Sequence, residues 1–463
     1  VPVCEPLDIF ENILECHLST VKVHFRNVEI DSRKVGCSDI FFGIKGERFD
    51  GNKFAQSAIE KGASLVIMDD KNAFYSLMYP KKILVENTEE ALVQMGGYML
   101  EEYSGIKIAV TGSAGKTSTK SMIRKVLEQN FKVYESYKNF NNRLGVAYSA
   151  ANLDLDAEYA IFELGTNKLG EIYKLAEYVQ PHMAVVTNIG RSHIGNFGSV
   201  ETIAMEKLSL VKQMVISGKT LEEPSVFLHE TCKDYIDGLK RFFPNDKHFE
   251  PLFFGLQDDN DIKISGVTYN NNLKYNVIYN EKKYDFELRH IYRHFAVNSL
   301  AAIAIGIVSG LNESSIRKGL MEFTALEGRG AYLSVGNKLK IIDDTYNASF
   351  ESVMCAIDDL NSVRQQDKVA VLGEMSEIEG FEGEFYRKLY DKALSYKDVR
   401  FLLVGEEYSK FDSAENISIY SSKEMVEDII NSVKDGLILL KAARSKNFDE
   451  LVEMFREKKK SAV

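Results

Sequence analysis

The chain has 463 residues, 45% hydrophobic and 27% charged, enough apolar material for ordinary cores and too long for one core, so about three domains at ~150 residues each are expected. Its formal net charge of -11 excludes a nucleic-acid coat, because phosphate backbones are held by basic faces; any anionic ligand must be met by a local cluster of positive groups. Five scattered cysteines with no C-x-x-C pair read as reduced thiols, and neither a leader-like N-terminus nor a long apolar run is present, so a cytoplasmic protein without membrane insertion is expected.

Residues 1–103 read as a small α/β unit. Val21 to Ile30 has strand character, IFFGIKG is a second strand ending in glycine, Asn52 to Lys61 a helix, and Ser64 to Met68 another strand. Ser32 and Arg33 lie in one turn, Lys45 and Gly46 in another. Either these turns contact an anionic, nucleotide-like ligand or they are simply solvated.

The next unit, 104–325, is organised around KIAVTGSAGKTSTKSMIRK, Lys107 to Lys125. Ile108 to Val110 reads as the end of a buried strand, and Thr119 to Leu127 carries apolar residues at helical spacing. Between them Gly112, Ser113, Ala114 and Gly115 form a tight turn that aims backbone N–H groups at one anion, with Ser118 following at the helix N-terminus. Lys116 adds a mobile charge for β and γ phosphates, and Thr117 a hydroxyl for Mg2+. Val110 stands where the full Walker pattern has its first glycine.

Strands and helices then alternate, as in a mostly parallel sheet whose ligands gather beyond the carboxyl ends of its strands. YAIFELGTN delivers Glu163 at a strand end, and MAVVTNIGRSHIG delivers His193 just past one. Either they converge with Thr117 on a Mg2+ site, or Glu163 caps the next helix and His193 is a loop residue. Asn141 and Asn142 sit in NFNNRLG, a plain turn or a loop that positions a peptide-like substrate. Lys207, on the helix VETIAMEKLSLVKQM, reads in isolation as a solvated lysine. The stretch KYNVIYNEKKYDFEL reads as a hairpin, and HFAVNSLAAIAIGIVSG as a close-packed helix whose Asn298 either reads an adenine edge or caps a turn.

Residues 326–463 carry four more strand candidates, LKIIDDTYNAS, VAVLGEM, FLLVG and DGLILLKA. This is a second, Rossmann-like alternation without G-x-G-x-x-G, so no dinucleotide cofactor is indicated. Arg329 stands at its entry, within reach of the preceding phosphate site. The KKK run near the C-terminus reads as a solvated helix end.

Taken together, these stretches resemble the Mur ligases, and the resemblance covers nearly the whole chain. TGSAGKTSTK resembles their shortened phosphate loop; FELGTNKLGEI, TNIGRSHIGNFGS and IAMEK follow the family's order; DSRKV with FFGIKGERFDGNKF resembles its UDP-binding first domain. IIDDTYNAS and VLGEM are similar to the DDxYNANP and LGDMxELG stretches of the members that use D-alanyl-D-alanine. The departures are Asn52 for a histidine, Ser349-Phe350 for Asn-Pro, Glu374 for the LGDM acid, SEIEG for ELG, and Lys441-Ala442-Ala443-Arg444 for Lys-Gly-Ser-Arg.

The resemblance implies three α/β domains: a small N-terminal domain, a central mostly parallel-sheet P-loop ATPase domain and a C-terminal Rossmann-like domain. It implies ATP-driven joining of D-alanyl-D-alanine to a UDP-linked muramoyl tripeptide through an acyl phosphate, by a monomer working on small molecules, without nucleic acid. Two Mg2+ ions would be held by Thr117, Glu163, His193 and a carbamylated Lys207. Asn298 would lie at adenine, Arg329 at the phosphates and Asp344 near ribose. Tyr346 and Asn347 would face the incoming dipeptide, and Ser32, Lys45 and Gly46 the UDP end. Two rivals remain: another amide ligase of this fold, such as a folylpolyglutamate synthetase-like enzyme, and a non-catalytic protein that keeps ATP for domain closure.

Overall fold

Short apolar runs bounded by Gly, Asp, Ser or Lys form strands buried on both faces, and helices cover those faces, as parallel sheets require. The computed structural model describes residues 25–46, 49–217, 225–240, 250–270, 272–336, 338–364 and 367–461, and within them three sheets organise an α/β chain.

The first sheet pairs Val28–Glu29, Ile40–Phe42, Leu65–Met68 and Lys82–Leu84 in that order, all parallel. The expected first strand begins at Val21, and residues 21–24 lie outside the described residues. The expected helix at Asn52–Lys61 comes in two pieces, a 3-10 turn Gly51–Phe54 and a helix Ala55–Glu60, because Asp50 caps the chain at Asn52. Helix Thr88–Glu102 packs Ala91, Leu92 and Met95 with Ala147, Tyr148 and Ala151 of helix Arg143–Ala151, which seats this unit on the next.

The second sheet has nine strands. From one edge they run Lys282–Leu288, Asn272–Tyr279, Ile262–Asn270, Leu252–Gly255, Val226–His229, Met183–Val186, Ile106–Thr111, Tyr159–Glu163 and Val133–Glu135. The first three form an antiparallel meander and the rest are parallel. The expected hairpin is there, turning at Asn280 and Glu281 with positive φ at both, the geometry that matches strand twist. Alternation along Ile106–Thr111 sends Ile108 and Val110 into one core, with helices Lys116–Leu127 and Arg293–Val308, and Ala109 into the other, with helices Glu171–Val179 and Val200–Ser217. After this strand the chain fills one side of it and then the other. The topological switch therefore falls at its carboxyl end, where an open parallel sheet has its ligand crevice.

The third sheet runs Ala331–Val335, Leu339–Asp344, Gly436–Lys441, Lys368–Leu372, Arg400–Val404 and Ile417–Tyr420, antiparallel only at its first pair. The four expected strands are its centre; the two that sequence missed are its edges. Among the described residues, no helix is long and apolar enough to cross a membrane, and Cys37, Cys232 and Cys355 are free thiols.

Where the second unit leads into the third, buried His290 ties them. Its Nδ1 accepts from Tyr292 N at 3.0 Å, so Nε2 carries the proton and donates to Gly330 O at 2.6 Å. Burial pushes its pKa down to about 3, so the folded protein keeps it neutral. The unfolded chain takes up this proton near pH 6.5 and the folded one near 3. Its contribution to stability is full above pH 6.5 and is lost as the pH falls below that value. Calorimetry should show Tm falling from pH 6.5 to 4, with a shallower dependence in His290→Asn.

Candidate functional site

The loop between Thr111 and Lys116 works only with glycine at two positions. Gly112 has φ +148°, and a Cβ there would lie 1.9 Å from Thr187 Oγ1; Gly115 has φ +78°, and its Cβ would lie 2.7 Å from Asn298 Nδ2. The next strand's end pins the loop. Ala114 N donates to Asn188 Oδ1 at 2.9 Å, Thr187 Oγ1 donates to Ala114 O at 2.5 Å, and Ser113 N donates to Asn188 O at 3.0 Å. Thr187 and Asn188 open the stretch TNIGRSHIGNFGS, but the sequence alone assigned neither a role. Asn298 caps nothing: it is buried inside its helix and packs against Gly115. The helix begins at Lys116, three residues before its apolar periodicity, with Thr117 and Ser118 buried in its first turn.

Around this loop lie several buried polar groups. Glu163, 1% exposed, ends its strand and is no helix cap; Asn141 Nδ2 donates to its Oε1 at 2.8 Å, while Oε2 is buried without a partner. Thr117 Oγ1 is likewise buried and unpartnered. Two orphaned hard oxygens, one of them anionic, at the end of a phosphate loop suit Mg2+, which takes its other ligands from phosphates and water. Among the described residues, no group of three or more His, Cys, Asp or Glu side chains gathers as a metal cluster.

Lys116 donates to Gly112 O at 2.9 Å, and its charge interacts with those of Glu163, Arg329 and Glu377; burial lowers its pKa. Lys207 is 2% exposed, which corrects its reading as a solvated lysine. Burial, then the charge of Lys116, lowers its pKa well below the usual range. His193 lies seven residues beyond its strand, at φ +62°, and begins the short helix Ile194–Phe197. Burial and the charges of Lys116 and Lys207 push its pKa down to about 4, which leaves a neutral imidazole at neutral pH.

Lys120 is built in differently. At 2% exposure its ammonium donates to Ser136 O at 2.5 Å and Lys138 O at 2.6 Å, and Ser136 Oγ accepts from Glu163 N at 3.2 Å. One cation thereby ties the loop helix to the segment leading to Asn139 and to the strand carrying Glu163. Asn142 is spent locally, its oxygen accepting from Gly145 N at 2.9 Å to start helix Arg143–Ala151. Half of NFNNRLG is thus helix rather than loop.

The third unit closes the site from above the carboxyl ends of its own strands. Arg329 stacks 4.0 Å over the Tyr346 ring, and Tyr346 OH meets Asn139 Nδ2. Asp344 pairs with buried Lys441 at 2.6 Å, and Lys441 also reaches Asn347 O at 3.1 Å. A cleft of about 740 Å³ opens between the loop helix and this unit, with Thr117, Lys120, Arg329 and Tyr346 on its walls. Ser32 is buried in the first unit, while Lys45 and Gly46 are exposed and bond within their own turn, to Asp50 and Phe49. The structure thus gathers Thr117, Glu163, His193, Lys207 and Arg329 around Lys116 and leaves Lys45 and Gly46 in a separate turn.

Residues 24–135 match the family model described as Mur ligase family, catalytic domain, and residues 110–306 match the Mur ligase middle domain. The UDP-N-acetylmuramoyl-tripeptide--D-alanyl-D-alanine ligase of Rickettsia prowazekii is 30% identical over 94% of this chain and 96% of its own. The enzyme of the same name from Bacillus subtilis is 31% identical over 92% of each. In fold, the chain is similar to a crystal structure of MurF from Acinetobacter baumannii, with TM-score 0.81, 23% identity, and 97% and 98% of the two chains covered. It is also similar to the MurF ligase of Thermotoga maritima in complex with ADP, with TM-score 0.78, 23% identity, and 96% and 100% covered.

Lys120→Met keeps the apolar stem and removes the ammonium, leaving two carbonyls short of a donor. Urea unfolding should show a loss of about 2–6 kcal/mol, on the order of 1–3 for each buried group left unsatisfied.

Proposed function

Since the chain belongs to the Mur ligase family, we infer that it is an ATP-dependent, ADP-forming peptide ligase that joins D-alanyl-D-alanine to UDP-N-acetylmuramoyl-tripeptide in peptidoglycan synthesis. The observation that carries the chemistry is the two-glycine loop facing two buried, unpartnered oxygens, Thr117 Oγ1 and Glu163 Oε2. The reacting substrates follow from the relatives, whose likeness runs along nearly the whole chain.

In this reading a terminal carboxylate oxygen of the tripeptide attacks the γ-phosphorus of ATP. The bond to the bridging oxygen breaks, ADP leaves with its electron pair, and an acyl phosphate forms. The dipeptide's amine then attacks the acyl carbon, the carbon–oxygen bond to phosphate breaks, and the amine's surplus proton passes to solvent. Little covalent work falls on the protein, so positioning and charge neutralisation supply most of the rate.

Backbone N–H groups of Ser113 to Ser118 would cradle the phosphates, Lys116 and Arg329 would balance their charge, and Asn298, beside Gly115, would adjoin the adenosine with Asp344 at ribose. Thr117, Glu163 and His193 would hold Mg2+, which when bound spreads the charge of the transferring phosphoryl group. Burial disfavours the Lys207 ammonium, so this side chain would more readily offer the free lone pair that attacks CO2; the carbamate formed, after loss of a proton, would be an anion for a second Mg2+.

Tyr346 and Asn347 would face the dipeptide, and Ser32, Lys45 and Gly46 the UDP end. Asn141 would act through Glu163, and Asn142 through the helix it starts. The working division is 1–103 for the UDP-linked substrate, 104–325 for ATP and 326–463 for the acceptor side. In this reading the two nucleotide substrates imply a cytoplasmic setting, and a monomer is carried over from the family resemblance.

Phosphate release from ATP with Mg2+ should require both the UDP-linked tripeptide and D-alanyl-D-alanine, and fall at least about 10²–10³-fold in Lys116→Ala. Release indifferent to the dipeptide would overturn the acceptor; no release with any substrate set would overturn the ligase. Protein equilibrated with 13C-bicarbonate should give a carbamate carbon signal that is absent in Lys207→Arg.

A further inference from the structure

Glu377 belongs to the third unit, yet its carboxylate reaches the phosphate loop of the second. Its Oε2 lies 3.1 Å from His193 Nδ1, with the two side chains 33% and 18% exposed. Its charge acts on both Lys116 and Lys207. Exposed ion pairs are commonly incidental, but this contact is built from both sides. Glu377 and His193 each sit at φ +62°, a left-handed backbone that non-glycine residues keep only where neighbouring contacts hold it.

Those contacts are present. On the third unit's side, Ser376 N donates to Ala348 O at 3.0 Å, Ser376 Oγ donates to Asn347 Oδ1 at 2.7 Å, and Met375 N donates to Tyr386 OH at 2.9 Å. On the second unit's side, Asn196 N and Phe197 N donate to His193 O at 2.9 and 3.1 Å. The two segments approach so closely that a Cβ on Gly195 would come within 2.6 Å of Glu379 Oε2. Beside them Arg191 N donates to Glu351 Oε1 at 2.9 Å, and the Arg191 guanidinium to Glu384 Oε1 at 3.1 Å.

A carboxylate 3.1 Å from Nδ1 favours the imidazole proton on that nitrogen and so the Nε2 lone pair for a metal; such outer partners orient metal-binding histidines. We propose that Glu377 is a positioning residue that, through His193 Nδ1, sets the imidazole offered to a divalent cation and so couples docking of the third unit to cation binding. The coupling is reciprocal: an ion bound with nucleotide favours the docked arrangement, and docking tightens the ion. This rests on reading His193 as a metal ligand.

The test uses the full chain with saturating ADP and Mn2+ as the probe, free Mn2+ being read by electron paramagnetic resonance. Glu377→Ala should weaken Mn2+ binding about 10–100-fold. Glu377→Gln, which keeps an oxygen beside Nδ1 without the charge, should fall between it and the parent protein. In turnover, both variants should need more Mg2+ and recover kcat at saturating Mg2+. Unchanged Mn2+ affinity in both would overturn the proposal while leaving the metal site standing. Failure of the parent protein to take up Mn2+ with ADP would overturn the ligand assignment itself, and the proposal with it. Should the alanine variant not fold, the glutamine variant decides alone, weaker binding supporting the role and equal binding ending it.

Discussion

Three ammonium groups held out of water around one loop set the terms for the rest of this molecule. Taking a cation from water into a protein interior costs several kcal/mol even after relaxation, so each must be answered locally. Lys120 is answered by carbonyl dipoles, Ser136 O and Lys138 O, and becomes structural. Lys116 has one carbonyl and the more distant charges of Glu163 and Glu377. Lys207 has Glu206 beside it and Glu377 across the domain junction, with Lys116 opposing both. The last two have fewer local partners, and in the proposed reading an incoming polyphosphate would gain most on binding there. The switch point of the sheet and the buried strand end at Glu163 lie at the same place.

What could be read from the chain follows from how local each signal was. The phosphate loop was legible because its glycines, lysine and threonine lie within six residues and their spacing is the chemistry. Burial of Lys207 was not: it lies between Glu206 and Leu208 on a helix with nine buried positions, and only packing on the sheet separates it from a solvated lysine. Asn141 and Asn142 are neighbours of identical type, yet one braces Glu163 and the other caps a helix. The strands Ala331–Val335 and Ile417–Tyr420 escaped notice because edge strands lack the continuous apolar run of central ones.

The departures from the family pattern prove to be internally compensated. Asn52 donates to Asp50 Oδ1 at 2.9 Å and Asp69 Oδ1 at 2.8 Å, and accepts from Asp69 N at 3.1 Å and Asp70 N at 3.3 Å; a histidine ring, with two nitrogens, could not make that set. Glu374 turns away from the junction to Lys446 and Glu407 N, over a glycine at 405 that leaves room for it. Ala442 and Ala443 are fully packed, where Gly373 and Phe448 press on Ala442. Asn52 fits the hydrogen bonding of the first unit, and Glu374, Ala442 and Ala443 fit the packing of the third.

The two loop glycines have a consequence for how this gene can drift. Every single-base change in a glycine codon that replaces the glycine with another amino acid adds a side chain, and at these two positions the new carbon would fall 1.9 Å from Thr187 Oγ1 or 2.7 Å from Asn298 Nδ2. Shrinking Thr187 to make room would remove the hydroxyl that donates to Ala114 O and holds the loop shut. At both positions every amino-acid replacement one base away adds that carbon, and the simplest compensating change is itself damaging, so the loop can drift in its codons while its two glycines stay fixed.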